Sequence, residues 1–180
     1  MQELTQKLIV NKTKQWIENF IIRFNLCPFA KKEMRKKSVR FQVAEVSNME
    51  EALQALLDEL VYLESNPAIE TSFLIYPQHF EDFFYYLELV ERGDSLIQKV
   101  NLEGVFQIAS FHPDYYFANT PSDDVCNYTN RSPYPMLHLL REANLEKAIE
   151  RYGDTESIPE NNMRLLRTLG LEAVKKIIEE

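Results

Sequence analysis

The chain has 180 residues, of which 45% are hydrophobic, and its formal net charge is −8. This length suits one hydrophobic core, and no stretch has the composition of a linker between two, so we expect a single domain over residues 1–180. The acidic balance argues against broad nucleic-acid binding, which depends on basic surface that neutralises phosphates.

The N-terminal segment, residues 1–10, lacks the positive flank and uninterrupted apolar run of a signal peptide. No stretch of 18 consecutive apolar residues follows it that would span a membrane. We therefore expect a cytoplasmic protein without membrane contact. In that reducing compartment, Cys27 and Cys126 are expected to be free thiols rather than a disulfide.

The first predicted element is a long scaffold helix, whose apolar stripe recurs every three or four residues at Thr13, Trp16, Ile17, Phe20, Ile21 and Phe24. It is expected to end near Asn25, which tolerates a left-handed cap, because Pro28 disfavours helical backbone at Cys27. Residues 31–40 then hold six cations. They are typical either of a solvated helix face or of a local anion-binding patch.

Strands are predicted to alternate with helices in the next part of the chain. Residues 39–46, 71–76 and 104–110 have the composition of strands, and helices are predicted between them. This alternation predicts an α/β domain with a small, mostly parallel sheet of three or more strands and helices packed against it. Ligands in such sheets bind beyond the carboxyl ends of the strands, here the loops after residues 46, 76 and 110.

The loop over residues 111–132 contains most of the candidate site residues. His112 stands at the end of the third predicted strand and suits a general base, with Asp114 or Asp124 orienting its ring. The polar crowding that follows indicates substrate contacts, from Asn127, Asn130 and Arg131. The alternative is that His112 is a turn residue bonded to backbone, and that the loop is an Ω-loop whose Asp and Asn side chains make turns.

A further helix is predicted from Pro133, followed by a restart at Asn144 and a helical pair around Gly170, so the C-terminal part should be helical. On the helix from Pro133, the side chains of His138, Arg141 and Glu142 would share one face. These side chains could bind substrate, co-ligate a metal or form a solvated ion-pair face. We assign them to substrate binding and assign no metal.

Cys27 follows the end of the first predicted helix and precedes the basic segment. The helix dipole should raise the pKa of its thiol, whereas the cations should lower it. Both a buried, inert cysteine and a nucleophile therefore remain open.

Three strings resemble DUF1415, a bacterial family of unknown function: residues 25–30 (NLCPFA), 109–115 (ASFHPDY) and 127–142 (NYTNRSPYPMLHLLRE). The resemblance spans essentially the whole chain and implies no mechanism. It implies that the motif blocks of the family contain Cys27, His112, Asp114, Asp124, Asn127, Asn130, Arg131, His138, Arg141 and Glu142. It also implies a small residue at position 126, which leaves Cys27 as the thiol candidate.

Our leading hypothesis is an enzyme that acts on a small polar or anionic metabolite. His112 would be the acid/base, Cys27 the nucleophile, and Arg131 and Arg141 would hold the substrate. The alternative is a nucleotide- or RNA-binding module without catalysis, in which the basic segment and the aromatic residues 115–117 bind by charge and stacking. The cofactor, the reaction and the oligomeric state stay unknown.

Overall fold

A computed structural model of the chain describes residues 2–179. Helices and strands in this part of the chain run α1 Gln2–Trp16, α2 Ala30–Lys36, β1 Val39–Val43, α3 Met49–Ser65, β2 Thr71–Ile75, α4 Phe83–Lys99, β3 Phe106–Phe111, β4 Met136–Arg141, α5 Glu142–Tyr152, α6 Ile158–Leu169 and α7 Leu171–Glu179. A π-helical segment, Ile17–Ile22, continues α1, and a 3₁₀ helix, Val125–Thr129, precedes β4. Within residues 2–179, no helix has the length and apolarity needed to cross a membrane.

The four strands form one sheet in the order β1-β2-β4-β3. Only β1 and β2 pair in parallel, whereas β4 is antiparallel to both β2 and β3. The predicted α/β class is confirmed, but the expectation of a mostly parallel sheet is wrong. The three predicted strands do share one direction, and the discrepancy arises because the unpredicted β4 lies antiparallel between β2 and β3.

The prediction of a helix from Pro133 is also wrong, because residues of that segment form β4. The run from Met136 to Leu140 is almost continuously apolar, and periodicity cannot distinguish a strand buried on both faces from a buried helix. The central position of β4, bonded on both sides, overrides the helical preference of its leucines. Alternate strand residues point to opposite faces, so the side chains of His138 and Arg141 leave β4 on opposite sides of the sheet. Glu142 begins α5.

Helices α3 and α4 cover one face of the sheet and pack closely against it. Helix α4 runs through Gly93 without a break. A Cβ atom at Gly93 would lie 2.9 Å from Ile108 Cδ1 and 3.1 Å from Leu56 Cδ2. The glycine therefore lets α4 approach β3 and α3 closely, and this face has little space for a ligand.

The terminal helices cover the opposite face. Side chains of α1, the π-helical segment, α6 and α7 pack there against Phe73, Ile75 and Met136 of the sheet. Two predicted chain breaks are confirmed: Asn25 adopts a left-handed conformation at φ 53°, and Gly170, at φ 81°, separates α6 from α7. These helices belong to opposite ends of the sequence and leave an opening between them and the sheet.

Candidate functional site

A cavity of about 970 Å³ occupies this opening, between the sheet and the helices of the second face. Its size is that of pockets for small organic molecules, and apolar side chains form most of its wall. Prominent among them are Trp16, Ile17, Met34, Phe73, Phe111 and Leu140. The cavity thus lies on a face of the sheet and not beyond the carboxyl ends of the strands. The expectation of a site beyond the strand ends assumed a parallel sheet whose two faces are covered by crossover helices.

Trp16 lies in this wall immediately before the π-helical segment. Its side chain is 4% exposed, and its indole Nε1–H has no hydrogen-bond partner among residues 2–179. Leaving such a donor buried and unpaired costs about 1–3 kcal/mol, and segments of π-helix are rare and occur frequently at functional sites. Trp16 was predicted to be scaffold, but its position makes it a candidate for ligand contact.

His138 lies in the same wall, where its ring stacks on Phe73 with centroids 3.9 Å apart and planes 9° apart. Its Nε2 is 2.6 Å from the hydroxyl of Thr71, which in turn donates to the carbonyl of Leu139 at 2.6 Å. Burial lowers the pKa of His138 to about 3, so the ring is neutral at physiological pH. The residue is half-buried and borders the cavity. The structure therefore places this predicted substrate-binding residue at the cavity.

Cys27 also borders the cavity and is half-buried. Burial raises the pKa of its thiol, although the backbone N–H groups of Phe29 and Ala30 oppose that rise. The thiol is thus mainly protonated at neutral pH and is a weak nucleophile in this state. Cys126 is also a free thiol, as predicted, and burial raises its pKa.

The charged side chains at the cavity are predominantly positive, in contrast to the acidic chain as a whole. Six cations line it, Lys32, Lys36, Arg141, Lys147, Arg151 and Arg167, against three acidic residues, Glu33, Glu70 and Asp124. Glu33 lies 3.5 Å from Lys32 and 3.6 Å from Lys36. No described residue forms an ion pair with Lys147 or Arg151, both exposed on α5. The positive excess at the rim favours an anionic ligand.

The structure does not bring His112 to this cavity. It is fully buried near the other face of the sheet, with ring centroids of Phe83 and Tyr86 at 5.2 and 5.0 Å. Its Nε2 bonds to the carbonyl of Phe80 at 2.8 Å, and its Nδ1 accepts from the backbone N–H of Asp114 at 3.0 Å. Burial lowers the pKa of the ring, while the bond to the Phe80 carbonyl opposes this effect. Both ring nitrogens therefore bond to backbone groups. This is what the alternative hypothesis, that His112 is a turn residue, predicts.

Asn127 and Arg131 hold the polar loop together. The fully buried amide of Asn127 accepts from the N–H of Phe117 at 3.2 Å and donates to the carbonyl of Pro121 at 2.8 Å. The guanidinium of Arg131 donates to the carbonyls of Tyr115 at 3.1 Å and of Ser122 at 2.6 Å. These contacts are those of a hydrogen-bonded Ω-loop.

Asp124 and Asn130 border the cavity but also bond within the loop. Asp124 accepts from the N–H of Cys126 at 2.8 Å, and this hydrogen bond holds the pKa of its carboxyl below the usual value. Asn130 donates to the carbonyl of Ser110 at 3.2 Å and accepts from the hydroxyl of Thr129 at 3.0 Å. No described contact joins Asp124 to His112.

The two remaining predicted site residues hold the end of β4. Arg141 donates to the carbonyl of Leu63, in the last turn of α3, and to that of Ile69, beyond the helix, and its guanidinium lies 5.2 Å from the Phe106 ring centroid. Glu142 donates its backbone N–H to the carbonyl of Val105 at 3.0 Å. Neither the predicted shared face nor a group of three metal-ligating side chains occurs among the described residues.

Arg40 of the basic segment and two of the aromatic residues 115–117 form contacts within the protein. Arg40 pairs with the buried carboxylate of Glu59 at 2.8 Å. The rings of Tyr115 and Tyr116 pack on Phe83, at 5.4 and 5.0 Å between centroids. Each of these two rings therefore has an aromatic partner within the protein.

Sequence reasoning missed Trp16, Thr71 and Phe111 as residues of the site. Each lies in an apolar or β-forming stretch, where burial in the core explains its presence. One signal was available: a tryptophan buried on a helix stripe needs a partner for its N–H group, and Trp16 is the sole tryptophan of the chain.

Comparison with known proteins gives a family and no more. A family model described as a protein of unknown function, DUF1415, matches residues 8–176, nearly the whole chain. No curated protein and no solved structure matches it. The matched range includes every residue that lines the cavity, from Trp16 to Arg167. The resemblance of the three sequence strings is thereby confirmed, and the chain belongs to the DUF1415 family.

Proposed function

We propose that this protein binds a small organic anion with an apolar body in the cavity between the sheet and the terminal helices. The observation that carries the proposal is the combination of an apolar, aromatic wall with a rim of mostly positive charge. Burial of the apolar body contributes about 25 cal/mol per Å². The rim, through Lys147 and Arg151, would attract the anionic end, which stays close to solvent.

Binding is a better match to this geometry than catalysis. Acid/base groups work best when their pKa lies near the operating pH, whereas burial lowers the pKa of His138 to about 3. His112 uses both ring nitrogens on backbone, and burial raises the pKa of the Cys27 thiol. None of these three groups is poised for proton transfer or nucleophilic attack at neutral pH.

The test uses the fluorescence of Trp16, the sole tryptophan, as a reporter inside the cavity wall. Hexanoate, octanoate, decanoate and 3-phenylpropionate are titrated, with octanamide as the uncharged match of octanoate. We expect saturable changes with the carboxylates and roughly tenfold weaker binding of octanamide, as expected for loss of one charge-assisted interaction. If no carboxylate changes the Trp16 signal or the melting temperature at millimolar concentration, the proposal is wrong.

Two pairs of variants link such binding to the cavity. Ala109→Leu adds bulk to the wall and should abolish octanoate binding, whereas Ala143→Leu, on the exposed side of α5, should not. Lys147→Glu combined with Arg151→Glu should weaken octanoate binding about tenfold or more. Lys99→Glu changes an exposed charge on the opposite side of the sheet and serves as the matched control. Equal effects of test and control variants would place the binding elsewhere.

A further inference from the structure

The apolar wall of the cavity contains a hydrogen-bond donor that no described residue satisfies. The indole Nε1–H of Trp16 is buried and unpaired, and the ring is fixed edge-on against Phe111 at 5.5 Å between centroids. Buried polar groups in folded proteins nearly always have a partner, so each exception needs an explanation. An acceptor atom on a ligand in the cavity would supply one.

The same wall contains an acceptor, and the hydrogen bonds of Thr71 identify which atom it is. The Thr71 hydroxyl has a single proton and gives it to the carbonyl of Leu139 at 2.6 Å. It must therefore accept from Nε2 of His138, which lies 2.6 Å away. The proton of the neutral ring is on Nε2, and the lone pair is on Nδ1. None of the described side chains or backbone groups donates a hydrogen bond to that Nδ1 atom.

Both rings pack against Phe111, so the indole and the imidazole border the cavity as neighbours of one aromatic side chain. The ring centroid of His138 lies 6.2 Å from that of Phe111, on the strand next to it. A carboxylate oxygen can accept from the indole N–H but cannot donate to Nδ1. A hydroxyl or an amide group can do both.

We infer that the ligand carries a neutral hydroxyl or amide group on its apolar body, bonded to Trp16 and His138, as well as the anion held at the rim. The ligand class is then a hydroxy acid or an acylamino acid rather than a plain fatty acid. This inference rests on the proposed anion binding and adds a second point of recognition, at the sheet end of the cavity.

The test compares plain carboxylates of six to ten carbons with ω-hydroxy acids of the same chain length, by calorimetry. A wall without polar partners would penalise the added hydroxyl, so the direction of the change is decisive. We expect the hydroxy acid to bind roughly tenfold tighter at the best chain length, from two net hydrogen bonds. If plain acids bind and no hydroxy acid binds tighter, this inference is wrong while the proposed function stands. If neither class binds, both are wrong.

Variants that keep the ring shape assign the effect to its atoms. Trp16→Phe and His138→Phe should each remove the preference for the hydroxy acid, so that the hydroxy acid and the plain acid of equal chain length bind the same variant with affinities within about threefold of each other. The same preference in either variant would contradict the assignment. A measurement on the unliganded protein is independent of these variants: ¹⁵N chemical shifts of His138 should show the proton on Nε2. A proton on Nδ1 would overturn the inference.

Discussion

The neutral state of His138 makes stability depend on pH in a way that one substitution can isolate. In the unfolded chain the imidazole has a pKa near 6.5, and in the folded protein burial lowers that pKa to about 3. Between these values the unfolded state binds the proton and the folded state does not. The contribution of the neutral His138 ring to the free energy of unfolding is therefore fully present above pH 6.5 and is lost as the pH falls toward 3.

The magnitude follows from the size of the shift. Each pH unit below 6.5 costs about 1.4 kcal/mol until the folded ring itself begins to titrate. At pH 4.5, two units below the unfolded pKa, His138 should reduce the free energy of unfolding by about 2–3 kcal/mol relative to pH 7. His138→Gln removes the titration while keeping a side chain that can hydrogen-bond to Thr71.

The assay is urea unfolding of both proteins at pH 7 and at pH 4.5, followed through Trp16 fluorescence and circular dichroism. The difference between the two pH values should be about 2–3 kcal/mol larger for the unsubstituted protein than for His138→Gln. Contributions from His112 and Asp124, whose pKa values are also lowered, occur in both proteins and cancel. The same pH dependence in both proteins would show that His138 is not held neutral, and the Nδ1 acceptor would then lose its basis.

Three further predictions concern other parts of the chain. Burial raises the pKa of the Cys27 thiol, so alkylation by iodoacetamide at pH 7, followed by mass spectrometry, should be slower than that of glutathione and slower still with octanoate. Faster alkylation would restore a nucleophilic role. Glu59→Ala leaves Arg40 and the buried Ser72 hydroxyl without their carboxylate and should lower the free energy of unfolding by about 3 kcal/mol, whereas Glu59→Gln, which keeps an acceptor, should cost less. Arg131→Ala should reduce stability by about 1–3 kcal/mol with unchanged octanoate affinity, and the reverse outcome would indicate ligand binding by Arg131.

The sequence predicts those elements of this fold whose local signals agree with their tertiary surroundings. The first helix ends where Asn25 allows it, and β2 is the short, fully buried strand that its apolar composition indicates. The signals for β4 conflict, because its leucines favour a helix while two prolines precede it. Only the pairing with β2 and β3 resolves that conflict, and no local pattern contains it.

The candidate site could be predicted only in part from the sequence, because the remaining part depends on strand pairing that no local pattern contains. Cys27 and His138 were identified as chemically distinctive residues, and both border the cavity. His112 was favoured because it follows a strand end, but its nitrogens serve the turn that it occupies. The sequence does not distinguish a histidine that bonds to backbone from a histidine that faces a ligand. They differ in the face of the sheet on which they lie, which depends on strand order.

The position of β4 also explains why a cavity exists at this place. His138 is paired across the sheet with Phe73 on one side and with Ala109 on the other. The Phe73 ring stacks on the imidazole and fixes its plane, whereas Ala109, which borders the cavity, has only a methyl side chain. A large side chain at position 109 would close this part of the cavity against the terminal helices. The same cross-strand pairing therefore orients the imidazole and leaves room beside it, which is the arrangement that a ligand-binding wall requires.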